Sequence, residues 1–154
     1  MHQRVIIFLI FVNLLTHCGF TPVHIKKSNI NFSITSIKLS GDKTINRYLK
    51  SNLNNFINND HSKKFQIEIN TIYEKNIISK DKSSKITDYQ LISTTFFKVN
   101  YNNLVKTFSI SEKKNMNNVD DKFEEQKYER AIKQNFASTT SNKLISELAL
   151  LNDN

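Results

Sequence analysis

The sequence predicts an α+β fold: two helices packed on one face of a four-stranded, mostly antiparallel sheet, in the order β-α-β-β-β-α. Three observations carry this expectation. Four stretches alternate apolar and polar residues with the period of a strand, and three of them follow one another without a helix between. Two further stretches, a short one after Asp42 and a long one after Asp120, space their apolar residues as a helix does. Strands in a run beside two amphipathic helices bury their apolar surface as two packed layers.

Phe32 to Leu39 is β-branched and alternating, with a change of phase near Ser36 that predicts a bulge. Ser40-Gly41-Asp42 supplies a turn and a helix cap. In the adjoining helix, Ile45, Tyr48, Leu49, Asn52, Leu53 and Phe56 share one face, while Lys43, Arg47, Lys50 and Asn54 share the other. The first face packs on the core and the second is a solvated face. Asn58 to Ser62 reads as a loop. Phe65, Ile67 and Ile69 then alternate with Gln66, Glu68 and Asn70, a half-buried strand running towards Ile77.

Lys80 to Lys85 is polar and reads as a hairpin tip. From Ile86 to Tyr101, Tyr89, Leu91, Ser93, Thr95, Phe97 and Val99 fall on one face, and Ile92, Thr94 and Phe96 on the other. Apolar residues on both faces predict a central strand covered on both sides. Asn102-Asn103 suits the positive φ of a tight hairpin turn, and Leu104, Lys106, Phe108 and Ile110 return as the last strand. Glu112 to Asn118 reads as a polar connection whose asparagines cap the last helix. That long helix is expected from Asp120 to about Leu151, with Asp120, Asp121, Glu124 and Glu125 at its positive end. Its apolar row is Tyr128, Ile132, Phe136, Thr140, Leu144 and Leu148. Ser138 to Ser141 lowers helix propensity midway, where a bend or a change of packing partner is expected.

Ahead of the domain, Val5 to Leu15 is apolar except for Asn13 and comes just after Arg4. A bilayer-spanning helix needs roughly 20 apolar residues, so this run has the length of a secretory signal core. It ends in Leu15-Thr16-His17-Cys18, which resembles the lipobox of bacterial lipoproteins, although His17 stands where a small residue is usual. Cys18 would carry a covalent lipid, and two acyl chains or more would hold a soluble domain on a membrane. The expected organisation is residues 1–17 as lipoprotein signal peptide, 18–31 as lipidated tether, 32–151 as a single α+β domain and 152–154 as a tail.

Lys and Arg number 22 against 14 Asp and Glu. Such a balance raises nucleic acid as a partner. The lysines are dispersed, Arg is scarce, aromatic–basic clusters are lacking and the leader directs the chain outward, so an anionic membrane surface or lipid is favoured and no nucleic acid is expected. A single cysteine forbids an internal disulfide, and the four histidines share no ligand spacing, so no metal is expected. Two glycines leave no room for a Gly-rich phosphate loop, and no nucleophile–base set is suggested. The carboxylates at residues 120–125 are explained by capping a helix start. The chain is therefore expected to have no catalytic residues and no cofactor beyond the lipid on Cys18, and to be an interaction module rather than an enzyme.

Cys18-Gly19-Phe20-Thr21-Pro22, the element order, and the segment Phe123 to Phe136 together resemble the lipopolysaccharide-assembly lipoprotein family LptE. Members often begin with Cys-Gly-Phe-x-Pro and carry Glu-x-x-Tyr-Glu-x-Ala in the last helix, seen here around Gln126 to Ala131. Tyr89-Gln90-Leu91 to Lys106 is similar to the family's β-hairpin. The resemblance implies a lipid-anchored protein on the periplasmic face of the outer membrane. Its partners would be an LptD-type β-barrel, which it plugs and helps to assemble, and lipopolysaccharide bound for the outer leaflet. Gly19 after the lipidated cysteine agrees with outer-membrane sorting. Lys80, Lys82, Lys85, Lys98 and Lys106 become candidates for contact with lipid phosphates, as point charges. A membrane-anchored periplasmic lipoprotein with an unrelated scaffold or chaperone role is the competing reading.

Overall fold

The computed structural model describes residues 32–57 and 61–152. The signal, Cys18, the tether, most of the loop at 58–62 and the tail beyond residue 152 lie outside the described residues. The element order is β1 (Phe32–Gly41), α1 (Lys43–Leu53), β2 (Lys63–Lys80), β3 (Ile86–Tyr101), β4 (Leu104–Asn117) and α2 (Lys122–Asn152). The four strands form one sheet in the order β1-β2-β3-β4. β1 runs parallel to β2, while β2–β3 and β3–β4 are antiparallel. This is the α+β arrangement expected, with the helical crossover that a parallel pair requires.

β1 opens with Phe32 and Ile34 buried, and its register against β2 shifts between Ile34 and Ser36. The extra residue at Thr35 moves the inward set to Ile37 and Leu39, as the change of phase predicts. The strand ends at Gly41, whose φ of 91° places its Cα against the backbone of Thr71. The next amide, of Asp42, donates to the Thr71 carbonyl at 2.9 Å. The Asp42 carboxylate accepts the Ile45 N–H at 2.8 Å and so caps α1. Ile45, Leu49 and Leu53 then fall on the core face four residues apart. Asn46 is also buried there, donating to the Ser40 carbonyl and accepting from the Thr71 hydroxyl, which ties helix, crossover and sheet together. A single 3-10 turn, Asn54–Phe56, closes the helix and seats Phe56 against Phe32.

The meander keeps closely to its sequence pattern. Phe65, Ile67, Ile69 and Thr71 on β2, and Leu91, Ser93, Thr95, Phe97 and Val99 on β3, all face the helices and are buried. Asp81 organises the β2–β3 turn by accepting the amides of Ser83 and Lys85, and Ser84 takes a φ of 66°. Asn102 and Asn103, at φ 45° and 63°, make the two-residue turn between β3 and β4 that their composition suggests.

Four expectations need correction. β3 is central but covered on one side alone: on the other face Ile92 and Thr94 are partly open and Phe96 is 45% exposed. Both helices lie on the opposite face, so the apolar residues at 92 and 96 make a mixed outer surface rather than a second core. Glu112 to Asn117 is strand, because Met116 is needed to complete a cluster with Leu91, Ile132 and Phe136. α2 starts two residues late and is capped by Asp121, which accepts the Phe123 amide at 2.8 Å; Asn118 instead closes the strand, donating to the Ile86 carbonyl. Tyr128 does not join the apolar row and stays exposed, whereas Ile132, Phe136, Thr140, Leu144 and Leu148 are buried.

α2 is one continuous element and changes partners along its length. Ile132 and Phe136 pack with Leu91 and Met116, whereas Ala137, Leu144, Ile145 and Leu148 join the main core with α1 and β1. The change falls at the serine–threonine stretch, where Asn52 of α1 donates to the Ser141 hydroxyl.

Candidate functional site

The candidate lysines sit at two ends of the sheet. Lys80, Lys82 and Lys85 surround the β2–β3 turn. Ile86 and Lys98 are twelve residues apart on β3, roughly 40 Å at about 3.3 Å per residue. Lys98 lies on the open face, 3.6 Å from Glu68. Lys106 lies on the helix face, where it reaches Glu147 of α2 at 3.1 Å and stands 5.8 Å from the centre of the Phe108 ring. The five residues therefore do not form one site.

At the β2–β3 tip, two of the three lysines are unpaired among the described residues. Lys85 is held by Asp120 at 2.7 Å, whereas Lys80 and Lys82 have no ion pair among the described residues. Asp81 is engaged by the turn: the Ser83 hydroxyl and the Lys85 amide hold its carboxyl below the usual carboxylate range. Ile77 and Ile78, both about half exposed, stand just before the lysines, with a register shift between Ile77 and Ser79. Two ammonium groups without an ion pair among the described residues and two half-exposed isoleucines thus share this end of the sheet. On the open face, Lys38, Ser40, Glu68, Asn70, Phe96 and Lys98 border a shallow concavity of about 590 Å³.

A charged network beneath the tip was not anticipated. Lys133 of α2 donates to Asp42 at 2.9 Å and lies 3.7 Å from the centre of the Tyr73 ring. The Tyr73 hydroxyl donates to Glu129 at 2.8 Å, and Lys75 bridges Glu129 at 2.9 Å and Glu125 at 2.6 Å. Lys122 completes the chain on Glu125 at 2.6 Å. Glu125 and Glu129 thus tie α2 to the part of β2 that projects beyond β1, so their work is cross-layer pairing rather than helix capping. Burial pushes the Asp42 and Glu129 carboxyls up, but hydrogen bonds from Ile45 and Lys133, and from Lys75 and Tyr73, outweigh it and hold both below their ordinary values. Glu125 is lowered by Lys122 and Lys75. Burial, and then the bond to Glu129, push the Tyr73 hydroxyl far up.

The signal for this network is present in the sequence: Glu125, Glu129 and Lys133 recur at fourth-residue spacing, opposite the alternating Tyr73 and Lys75. Among the described residues no three of His, Cys, Asp or Glu gather where a metal could sit, and no helix is long and apolar enough to cross a membrane.

No family model matches the sequence, and no relative was found among curated proteins. The likeness lies in the fold. Rare lipoprotein B from Shewanella oneidensis superposes with a TM-score of 0.57 at 15% identity, over 77% of this chain and 96% of that one. An uncharacterized lipoprotein B from Nitrosomonas europaea gives 0.57 at 13% identity, over 88% and 93%. The domain has the rare lipoprotein B fold.

Proposed function

We propose that this protein is an outer-membrane lipoprotein and a non-enzymatic subunit of the lipopolysaccharide translocon, docked in an LptD-type barrel and helping to insert lipopolysaccharide into the outer leaflet. The fold shared with rare lipoprotein B over nearly the whole of that chain carries the reading. The Leu15-to-Gly19 segment supports it, since a thiol at Cys18 with Gly-Phe-Thr-Pro directly after it suits a lipid anchor in front of the domain. A two-layer body whose lysines are spread along the chain is compatible with the wet lumen of a large barrel. Lys80 and Lys82, beside Ile77 and Ile78, supply point charges and apolar contact for the phosphates and acyl chains of the lipid.

Affinity purification of the full chain from detergent-solubilised outer membranes, with mass spectrometry of partner and N-terminus, tests the proposal. It should bring down a large β-barrel protein together with an acylated N-terminal Cys18. An intact Met1 terminus, or a lipidated protein without the barrel, would overturn it; the second result would favour an unrelated scaffold or chaperone role.

A further inference from the structure

We propose that the outer edge of β4, with the groove beside it on α2, is a strand-addition site for an extended, acidic segment of a partner protein. This goes beyond the translocon reading and does not depend on it.

β4 is the terminal strand of the sheet, so one side of its backbone pairs with no strand among the described residues. An open edge is a template for another chain, and proteins commonly block it with proline, a bulge or charge. β4 has no proline, and its register with β3 runs unbroken from Leu104 to Asn117, whereas the β1–β2 and β2–β3 pairings each shift. The outer edge of β1, by contrast, is met by Ile57, which bridges to Ile34.

Beside the β4 edge, a groove of about 280 Å³ separates the strand from α2. Ile132 and Phe136, both buried, form its floor, and Tyr128, 46% exposed, stands on its rim. An added strand projects every second side chain to the same face, so alternate residues of a visitor would enter this groove while its backbone completed the edge hydrogen bonds.

The charge selects the visitor. Glu112, which lines the groove, is already held by Lys143 at 2.6 Å. Lys114, level with Leu91, faces the groove, and Lys113, level with Ile92, faces the open side of the same edge; neither has an ion pair among the described residues. The edge therefore offers one uncommitted cation on each face, and the groove holds no uncommitted carboxylate. The same lysines oppose pairing of this edge with a second copy of itself, because like charges set across a strand pair repel.

The test uses the full chain in detergent and a labelled ten-residue peptide alternating Glu with Val and Phe. Binding is read by fluorescence anisotropy, and its location by hydrogen exchange. The acidic peptide should bind and slow exchange across residues 104–117. K113E/K114E should weaken binding at least tenfold, as should replacing the peptide's Glu with Lys, and a central proline in the peptide should abolish it. Equal binding of the acidic and basic peptides, no binding at millimolar peptide, or protection confined to another strand would overturn the proposal. Protection of 104–117 that rises with protein concentration in the absence of peptide would also overturn it, assigning the edge to a second copy.

Discussion

Replacing Gly41 by Ala tests the joint between β1 and α1, on which the parallel crossover depends. A Cβ there would lie 2.0 Å from the Thr71 carbonyl oxygen, backbone that cannot swing aside, so strand or helix must retreat by about 1 Å. Three losses add. An L-residue in the left-handed region costs about 1–2 kcal/mol, the Asp42 N–H bond to Thr71 about 1, and the displaced Asp42 cap about 1. The stiffer unfolded chain returns about 0.4–1 kcal/mol. The net is a destabilisation of about 3 kcal/mol, read as a lower urea midpoint at unchanged slope in circular dichroism. Asn103→Ala is the control, since its φ of 63° lies in an exposed turn and its loss should stay near 1 kcal/mol. If G41A costs no more than N103A, close backbone approach is not the demand that the glycine meets.

Lys133→Met keeps the aliphatic stem but leaves Asp42 without its cation and Glu129 with Lys75 alone; it should cost about 2 kcal/mol and raise the Asp42 carboxyl pKa by carbon-detected NMR, and an unchanged pKa would remove Lys133 from the network. Asp42, Glu125 and Glu129 bind protons less readily folded than unfolded, so their stabilisation is complete above their ordinary values of 3.8 and 4.5 and is lost as pH falls below them. Lys75 is shifted the other way, because its bonds to Glu125 and Glu129 outweigh burial; its contribution is complete below 10.5 and is lost as pH rises beyond it. Urea midpoints measured across pH should show both arms, and E129Q should flatten the acid one. K80E/K82E should weaken lipopolysaccharide binding by the full chain about tenfold, while K106A, already paired with Glu147, should change it little; equal effects would disperse the contact over the surface.

Local pattern reached most of the fold. The phase change at Ser36, the Asp42 cap, both ends of β3 and the Asn102-Asn103 turn are each set by residues within a few positions of one another, so sequence spacing displays them. The misreadings arise where distant partners decide. Phe96 resembles a core residue until the sheet is seen to carry helices on one face alone, and Met116 makes strand out of a polar stretch because Ile132 and Phe136 need covering. The pairings of Lys75 and Lys133 do not show in local spacing, since their carboxylate partners Glu125 and Asp42 are 50 and 91 positions away. The five candidate lysines could be named from charge, but only the folded register shows that 98 and 106 stand on opposite faces, each opposite an acid, while 80 and 82 have no ion pair among the described residues.

Controlled depletion of this protein in its host, with the arrival of newly made lipopolysaccharide at the cell surface as readout, tests the translocon role most directly. Surface lipopolysaccharide should fall as the protein is lost, newly made material should accumulate behind the outer membrane, and the K80E/K82E variant should restore export less well than the wild-type chain. Lipopolysaccharide reaching the surface at an unchanged rate after complete depletion would contradict that role.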